Sequence, residues 1–323
     1  MWLGTKPSNI ALIKYMGKRD IAFNKPSNAS FSWTLPHLKT QVTLTISDKP
    51  LDTWSPLQTD FPFEMSSTGL QKYLNHLNRI KELFSVKKFF EVKSGNNFPA
   101  DCGIASSASS FAALTEAACA ACAEISGEEN LSLLDQAKLS ALGSGSSCRS
   151  FLPNWVCWDG EEIRPVSTAY DELLHMVVIV ASGAKKISSS QAHKRVSSSL
   201  LFEGRTHRAE QRLGDFIKNA NRKGWMQLYE IAWAEFWDMH ALFETSTPSF
   251  GYFEPQTLTI LNLARDFWFS QGDGPLVTMD AGPNVHLLWR EDQRNQALDF
   301  FNESLKGQWA CLSNMVEIGF AKL

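Results

Sequence analysis

An α+β fold with two lobes around a cleft is predicted by three observations. The chain has 323 residues, a length that fits one large domain or two smaller ones facing a cleft. Short strand-like segments alternate with amphipathic helical ones along the whole sequence. A turn-rich stretch, Asn96 to Gly103, also opens directly into a long Ala-rich helical segment.

The elements follow in order. Thr40 to Ile46 alternates polar and apolar residues as a strand does, and Lys88 to Lys93 is a second short strand. Between them Leu70, Tyr73, Leu74, Leu77, Ile80 and Phe84 recur at three and four residues, which predicts a helix packing one face on a sheet. Leu131 to Leu142 supplies another helix before the Gly/Ser stretch Gly143 to Ser147, read as a loop. Trp155 to Trp158 and Met176 to Ala181 fit buried strands. A boundary near Asp171 divides the chain into an N-terminal lobe, residues 1–170, and a C-terminal lobe, residues 171–323. In the second lobe helices are expected over Glu203–Asn219, Gly224–Glu244 and Pro255–Gln271, with Trp225, Trp233, Phe236 and Trp237 as a core seam. Leu276 to Asp280 and Val285 to Trp289 are strands around the turn Ala281-Gly282-Pro283-Asn284.

Thirty-one basic against 34 acidic side chains leave no basic footprint for nucleic acid or an anionic membrane, so the expected partner is a small molecule. The run Ile104–Ala123 carries four serines and Glu116 and is dominated by Ala, poor material for a membrane span. Met1 to Asn9 has no apolar segment of the secretory kind, and six cysteines in so long a chain read as reduced thiols, which together predict a cytoplasmic protein. Cys119 and Cys122 have CxxC spacing but no second pair, and read as small buried hydrophobes. Histidines 175, 193, 207, 240 and 286 have no metal-ligand spacing.

The sharpest local signal is Pro99 to Leu114, PADCGIASSASSFAAL. The first turn of a helix presents free N–H groups and a partial positive charge, which suits phosphate, and Ser106 and Ser107 add hydroxyl donors. The lysine of a Walker A loop is missing. Taken alone, such a loop is more often tight packing than catalysis.

This loop resembles the ATP-binding motif of the GHMP small-molecule kinases. NIALIKYMGKRD (Asn9–Asp20), GSGSSCRS (Gly143–Ser150), MHA (Met239–Ala241) and MDAGPN (Met279–Asn284) are similar, in order, to signature segments of the diphosphomevalonate decarboxylase family within that superfamily. The resemblance implies a GHMP-type fold with the active site between the lobes, ATP and Mg2+ as cofactors, and a homodimer. It implies a reaction in which ATP phosphorylates a tertiary hydroxyl, after which loss of phosphate and of carbon dioxide yields an alkene. Gly103, Ala105, Ser106 and Ser107 would then bind ATP, and Tyr15, Lys18, Ser144, Ser146, Arg149 and Ser189 the substrate. Asp280, Lys18 and Arg149 would be catalytic, with Arg149 gripping the carboxylate. Asp280 would take the hydroxyl proton with Lys18 beside it, the bland alternative being an Asp that starts a turn. Magnesium would arrive with ATP. Lys14 and Arg19 read as solvated surface.

Two departures stand out. Met16 occupies a position where the family commonly has tryptophan. In Lys185 to Arg195 the family often has serine, then arginine, then Gly-Met, where this chain reads Ser189, Ser190, Ala192 and His193. The missing arginine helps hold the substrate diphosphate in that family, so mevalonate 5-phosphate is the alternative substrate. A nucleotide-binding relative without turnover is the alternative of another class.

Overall fold

The computed structural model describes residues 1–20, 23–100, 104–181 and 187–315. The first half runs β1 (Trp2–Ile13), β2 (Lys18–Asp20), β3 (Lys25–Pro26), β4 (Ser30–Ile46), β5 (Thr53–Pro56), α1 (Ser67–Leu83), β6 (Phe90–Asn96), α2 (Ser106–Ser126), α3 (Leu133–Gly143), β7 (Trp155–Trp158) and β8 (Ile163–Pro165). The second runs β9 (Leu173–Ile179), α4 (Ser189–Arg195), α5 (Arg205–Asn221), α6 (Trp225–Glu244), α7 (Pro255–Gln271), β10 (Leu276–Thr278), β11 (Val285–Arg290), α8 (Arg294–Phe300) and β12 (Ala310–Ser313). The α+β class is as expected.

β4 organises the first half. Its first residues pair with β7 (Ser30 opposite Trp158), its last seven pair with β6 (Thr40 opposite Asn96), and β1 covers its other edge antiparallel. The predicted strand over 40–46 is therefore the end of a 17-residue one. The alanines of α2 serve close approach: a Cβ on Gly4 of β1 would lie 2.1 Å from the Ala113 carbonyl oxygen. Cys119 and Cys122 are buried in this helix, as small hydrophobes would be. The second half is a four-stranded sheet in the order β10-β11-β9-β12, packed against aromatic side chains of α6 and α7. No helix among the described residues is long and apolar enough to cross a membrane.

The halves share one core. Phe31, Trp33 and Trp155 pack with Phe216, Trp225 and Leu228 of α5 and α6, and Phe31 stacks on Trp155 at 5.0 Å between ring centroids. A histidine chain adds a polar rivet, with His37 Nε2 3.1 Å from His175 Nδ1 and His175 Nε2 3.0 Å from His286 Nδ1. Burial, then the more distant His286, pushes His37 down to about 4, and burial holds His175 well below its ordinary value, so both are neutral near pH 7.

Candidate active site

The site forms where the end of β1, the turn after β10 and the segment after α3 meet. Ile10, Leu12 and Ile13 are wholly buried, so β1 is anchored up to its last residue and delivers Lys14 at a fixed point. Lys14 is 2% exposed, and its Nζ lies 2.7 Å from Asp280 Oδ1. This corrects two readings. Lys14 is not solvated surface, and the ammonium seated on Asp280 is its own rather than that of Lys18. Burial lowers the Lys14 pKa, while the charge and hydrogen bond of Asp280 oppose the fall.

Asp280 stands just past β10, whose end is tied to β1 by Thr278 Oγ1 donating to the Ala11 carbonyl at 3.2 Å. Its own carbonyl accepts from Gly282 N at 2.8 Å and from His240 Nε2 at 3.2 Å. The backbone therefore makes the turn, leaving the carboxylate aimed at Lys14. His240, in the MHA segment, is a structural histidine whose proton sits on Nε2, because a carbonyl can only accept.

Arg149 lies on a 3-10 helix, Gly145–Phe151, that replaces the predicted loop. It is 4% exposed. Its Nη1 donates to Ser30 Oγ at 2.8 Å and its Nε to Asn9 Oδ1 at 3.3 Å. Asn9 is braced in turn by donating to Ser150 Oγ and the Ser146 carbonyl. Among the described residues no carboxylate pairs with Arg149, whereas the other fully buried arginine, Arg205, has two acidic partners. A buried guanidinium held by neutral groups alone keeps the charge and the free N–H donors that an anion would need.

Tyr15 and His193 stack with ring centroids 4.4 Å apart, and His193 Nδ1 accepts the Gly17 N–H at 3.1 Å. That acceptor role puts the proton of the neutral ring on Nε2. Burial, then the charges of Lys18 and Lys72, push His193 down to about 3. Burial also raises Tyr15, which stays a neutral phenol. Gly145 is required beside it, since a Cβ there would lie 2.5 Å from the Tyr15 hydroxyl. Ser189 is exposed at the start of α4, one turn before His193 on the same side of that helix, and Ser190 is also exposed. Met16 is buried in a cluster with Ala192, Met239 and Ala281, so the departure there is a packing change.

α2 begins at Ser106 after Ala105, which adopts a left-handed conformation (φ 48°) with no side-chain cap. In its first turn Ser106 is half-buried and Ser107 exposed. Ser107 Oγ lies 3.4 Å from Ser144 Oγ, which brings the two serine motifs together, and Ser146 is half-buried two residues on. Gly103 lies outside the described residues, as do Lys185 and Lys186.

A cleft of ≈ 680 Å3 lies between α1 and the end of α3, lined by Asn24, Ser67, Thr68, Gln71, Lys72, Asn75, Arg79, Leu142 and Gly143. Lys18 Nζ donates to Asn24 Oδ1 at 2.6 Å, and Asn24 Nδ2 donates to the Ala141 and Leu142 carbonyls at 3.0 Å each. Burial, then the charges of Lys72 and Lys194, lower Lys18 to about 8. The cleft wall on α1 was not found from sequence. Gln71, Lys72, Asn75 and Arg79 occupy the polar face of the amphipathic helix α1, and the signal available in them is their joint basic and amide character. Arg19 is exposed and pairs with Glu161 at 3.1 Å.

The comparisons with known proteins agree over the whole chain. The family described as the diphosphomevalonate decarboxylase-like N-terminal domain matches residues 6–169, and the mevalonate 5-diphosphate decarboxylase C-terminal domain matches residues 175–318. The crystal structure of a mevalonate diphosphate decarboxylase from Legionella pneumophila is 44% identical, with a TM-score of 0.92 over 96% of this chain and 99% of that one. The structure of MDDEF in complex with MVAPP, AMPPCP and magnesium is 28% identical, with a TM-score of 0.85 and coverage of 97% of both chains. Diphosphomevalonate decarboxylase of Candida albicans is 30% identical over 91% of this chain and 85% of its own length. By these matches and by its architecture, the chain belongs to the diphosphomevalonate decarboxylase family of ATP-dependent carboxy-lyases.

Proposed function

We propose that this chain converts mevalonate 5-diphosphate and ATP into isopentenyl diphosphate, ADP, phosphate and carbon dioxide. The observation that carries the reading is Arg149, a buried cation without an acidic partner among the described residues, beside a Lys14–Asp280 pair. A carboxylate substrate supplies the missing counter-charge.

The reaction needs a leaving group where the substrate has a tertiary hydroxyl. Asp280 accepts a hydrogen bond from that hydroxyl and takes its proton as the oxygen bonds to the γ-phosphorus of ATP, with the O–P bond to ADP breaking. Lys14 fixes the carboxylate and offsets charge as phosphate accumulates nearby. Departure of the new phosphate draws electrons from the bond to the carboxylate, which leaves as carbon dioxide and closes the alkene. Arg149 aligns the carboxylate through two parallel N–H···O contacts while it remains an anion.

ATP enters the cleft of α1 with its phosphates at the start of α2, where Ala105, Ser106, Ser107 and Lys72 meet them, with Gly103 in the same loop. Magnesium supplies charge neutralisation of the phosphates when bound. Among the described residues no three His, Cys, Asp or Glu side chains converge as a metal cage, and hydroxyl, phosphate and water oxygens suit this ion. Tyr15, Lys18, Ser144, Ser146 and Ser189 face the 5-phosphates, the lobes of residues 1–170 and 171–323 meeting across them. A cytoplasmic homodimer completes the reading, with support from family membership alone.

The exposed Ser190 in place of a basic residue favours mevalonate 5-phosphate as the second reading. The test is turnover with ATP, magnesium and mevalonate bearing zero, one or two 5-phosphates. The diphosphate should give the highest kcat/KM, with Lys18 and Lys194 replacing the absent arginine. A clear preference for the monophosphate moves the assignment to that substrate, and ADP without carbon dioxide makes the protein a kinase.

A further inference from the structure

Outside the reacting groups, the most concentrated charge in the molecule lies between α5 and α6. Arg205, Arg208 and Arg212 project from one face of α5 onto Glu235 and Asp238 of α6. Arg205 and Glu235 are wholly buried. A cluster of this kind is costly to desolvate and is weak evidence for stability by itself. What sets it apart is its third partner, the backbone of Lys14.

Glu235 Oε1 accepts the Lys14 N–H at 2.9 Å. Arg205 Nη2 donates to the Lys14 carbonyl at 2.9 Å and also to Glu235 Oε1, while Arg205 Nη1 reaches Glu235 Oε2 at 3.0 Å. Asn28 Nδ2 adds a second donor to the same carbonyl at 3.0 Å. The residue that ends β1 is therefore gripped on both its N–H and its C=O by an ion pair from the other half of the chain. Its side chain leaves that clamp toward Asp280. β1 has no ladder partner at this point, since its register with β4 stops at Ile13, so nothing else of comparable strength fixes the Lys14 backbone.

We infer that Glu235 and Arg205 are positioning residues for the reaction: they hold Lys14 so that its ammonium meets the carboxylate of Asp280. The inference rests on the reading of Lys14 and Asp280 as the reacting pair. Arg205 supplies geometry, because a planar guanidinium spans the Lys14 carbonyl and both Glu235 oxygens at once, which an ammonium cannot do. Glu235 supplies geometry and charge. Its negative charge helps keep Lys14 protonated, as that of Asp280 does, against burial and the field of Arg149. The other charged groups packed there are Arg212, which bonds Glu235 Oε2, and Asp238, which pairs with both Arg205 and Arg212.

Three variants separate positioning from support, read in the full-length protein with ATP, magnesium and the favoured mevalonate phosphate. Glu235→Gln keeps an acceptor for the Lys14 N–H and removes the charge. Its kcat should fall roughly 10-fold or more at unchanged KM, and the alkaline limb of its kcat–pH profile should move to lower pH as Lys14 loses its proton earlier. Glu235→Asp should restore that limb toward the parental position. Arg205→Lys keeps the charge, so its limb should stay in place while kcat falls. If Glu235→Gln does not fold, the Asp and Lys variants decide: kcat must drop in Arg205→Lys at constant KM. Parental kcat and pH profile in the folded variants overturn the inference, even with a lowered Tm, because a merely supporting cluster moves Tm alone. A parental protein that does not turn over any of the three substrates overturns the reaction assignment instead, which keeps the two failures distinct.

Discussion

Asp280→Asn should leave a folded protein that binds ATP and substrate but loses ADP formation and carbon dioxide release together, by roughly 10²–10⁴-fold. The turn survives because its contacts are to the Asp280 carbonyl, from Gly282 N–H and His240, and the substitution does not touch them. The amide matches the carboxylate in shape yet cannot take a proton. It also strips Lys14 of the charge that opposes its burial, so the lysine pKa falls further. Both effects act on phosphoryl transfer, and decarboxylation waits on that step. Quenched-flow assays of both products check this. Parental turnover, or continued ADP formation with only carbon dioxide lost, removes Asp280 from the role assigned to it.

Arg149→Met should show activity and stability moving in opposite directions. Met is of similar length and apolar; Ser30 Oγ still donates to the Trp158 carbonyl and Asn9 Nδ2 to Ser146 and Ser150, while Asn9 Oδ1 gives up the Arg149 donor. Removing a buried charge that lacks an acidic partner relieves a desolvation cost, so Tm should hold or rise. Turnover should fall by roughly 10²–10³-fold, the usual loss when one charge-stabilising group is taken from a reacting centre. Thermal melting beside steady-state kinetics tests it. A large drop in Tm with parental turnover in the folded fraction would make Arg149 a structural residue.

Much of this was legible in the sequence, for identifiable reasons. Thr40–Ile46 shows strand alternation because one face is buried and the other open; Ser30–Leu35 alternates too, as SFSWTL, but its small polar residues are buried along with the apolar ones, and it was passed over. β1 escaped for a different reason, since its end Ile10–Ile13 is an unbroken apolar run, buried without interruption, that shows no period of two. The helices α1, α6 and α7 are long and periodic or well bounded, while α4 and α8 have seven residues each and too few turns to show a period.

At the site, Arg149, Asp280 and the Ser106–Ser107 turn were named because motif and residue type pointed the same way. Lys14 was missed because a lysine beside further basic residues looks solvated. The counter-signal was the unbroken apolar run Ile10 to Ile13, which marks a strand buried up to the lysine and so a lysine delivered inside. The clamp of Glu235 and Arg205 could not be read at all. It joins positions more than two hundred residues from Lys14 in the case of Glu235 and depends on how α5 and α6 pack against the end of β1.

The central claim is that one site first phosphorylates a tertiary hydroxyl and then releases the carboxylate from the same molecule. A single-turnover time course with enzyme in excess, counting ADP and carbon dioxide in the same quenched samples, tests it most directly. ADP should appear no later than carbon dioxide, and the two should reach equal amounts. Carbon dioxide released without ADP, or ADP accumulating with no carbon dioxide to match it, would rule out this order of steps.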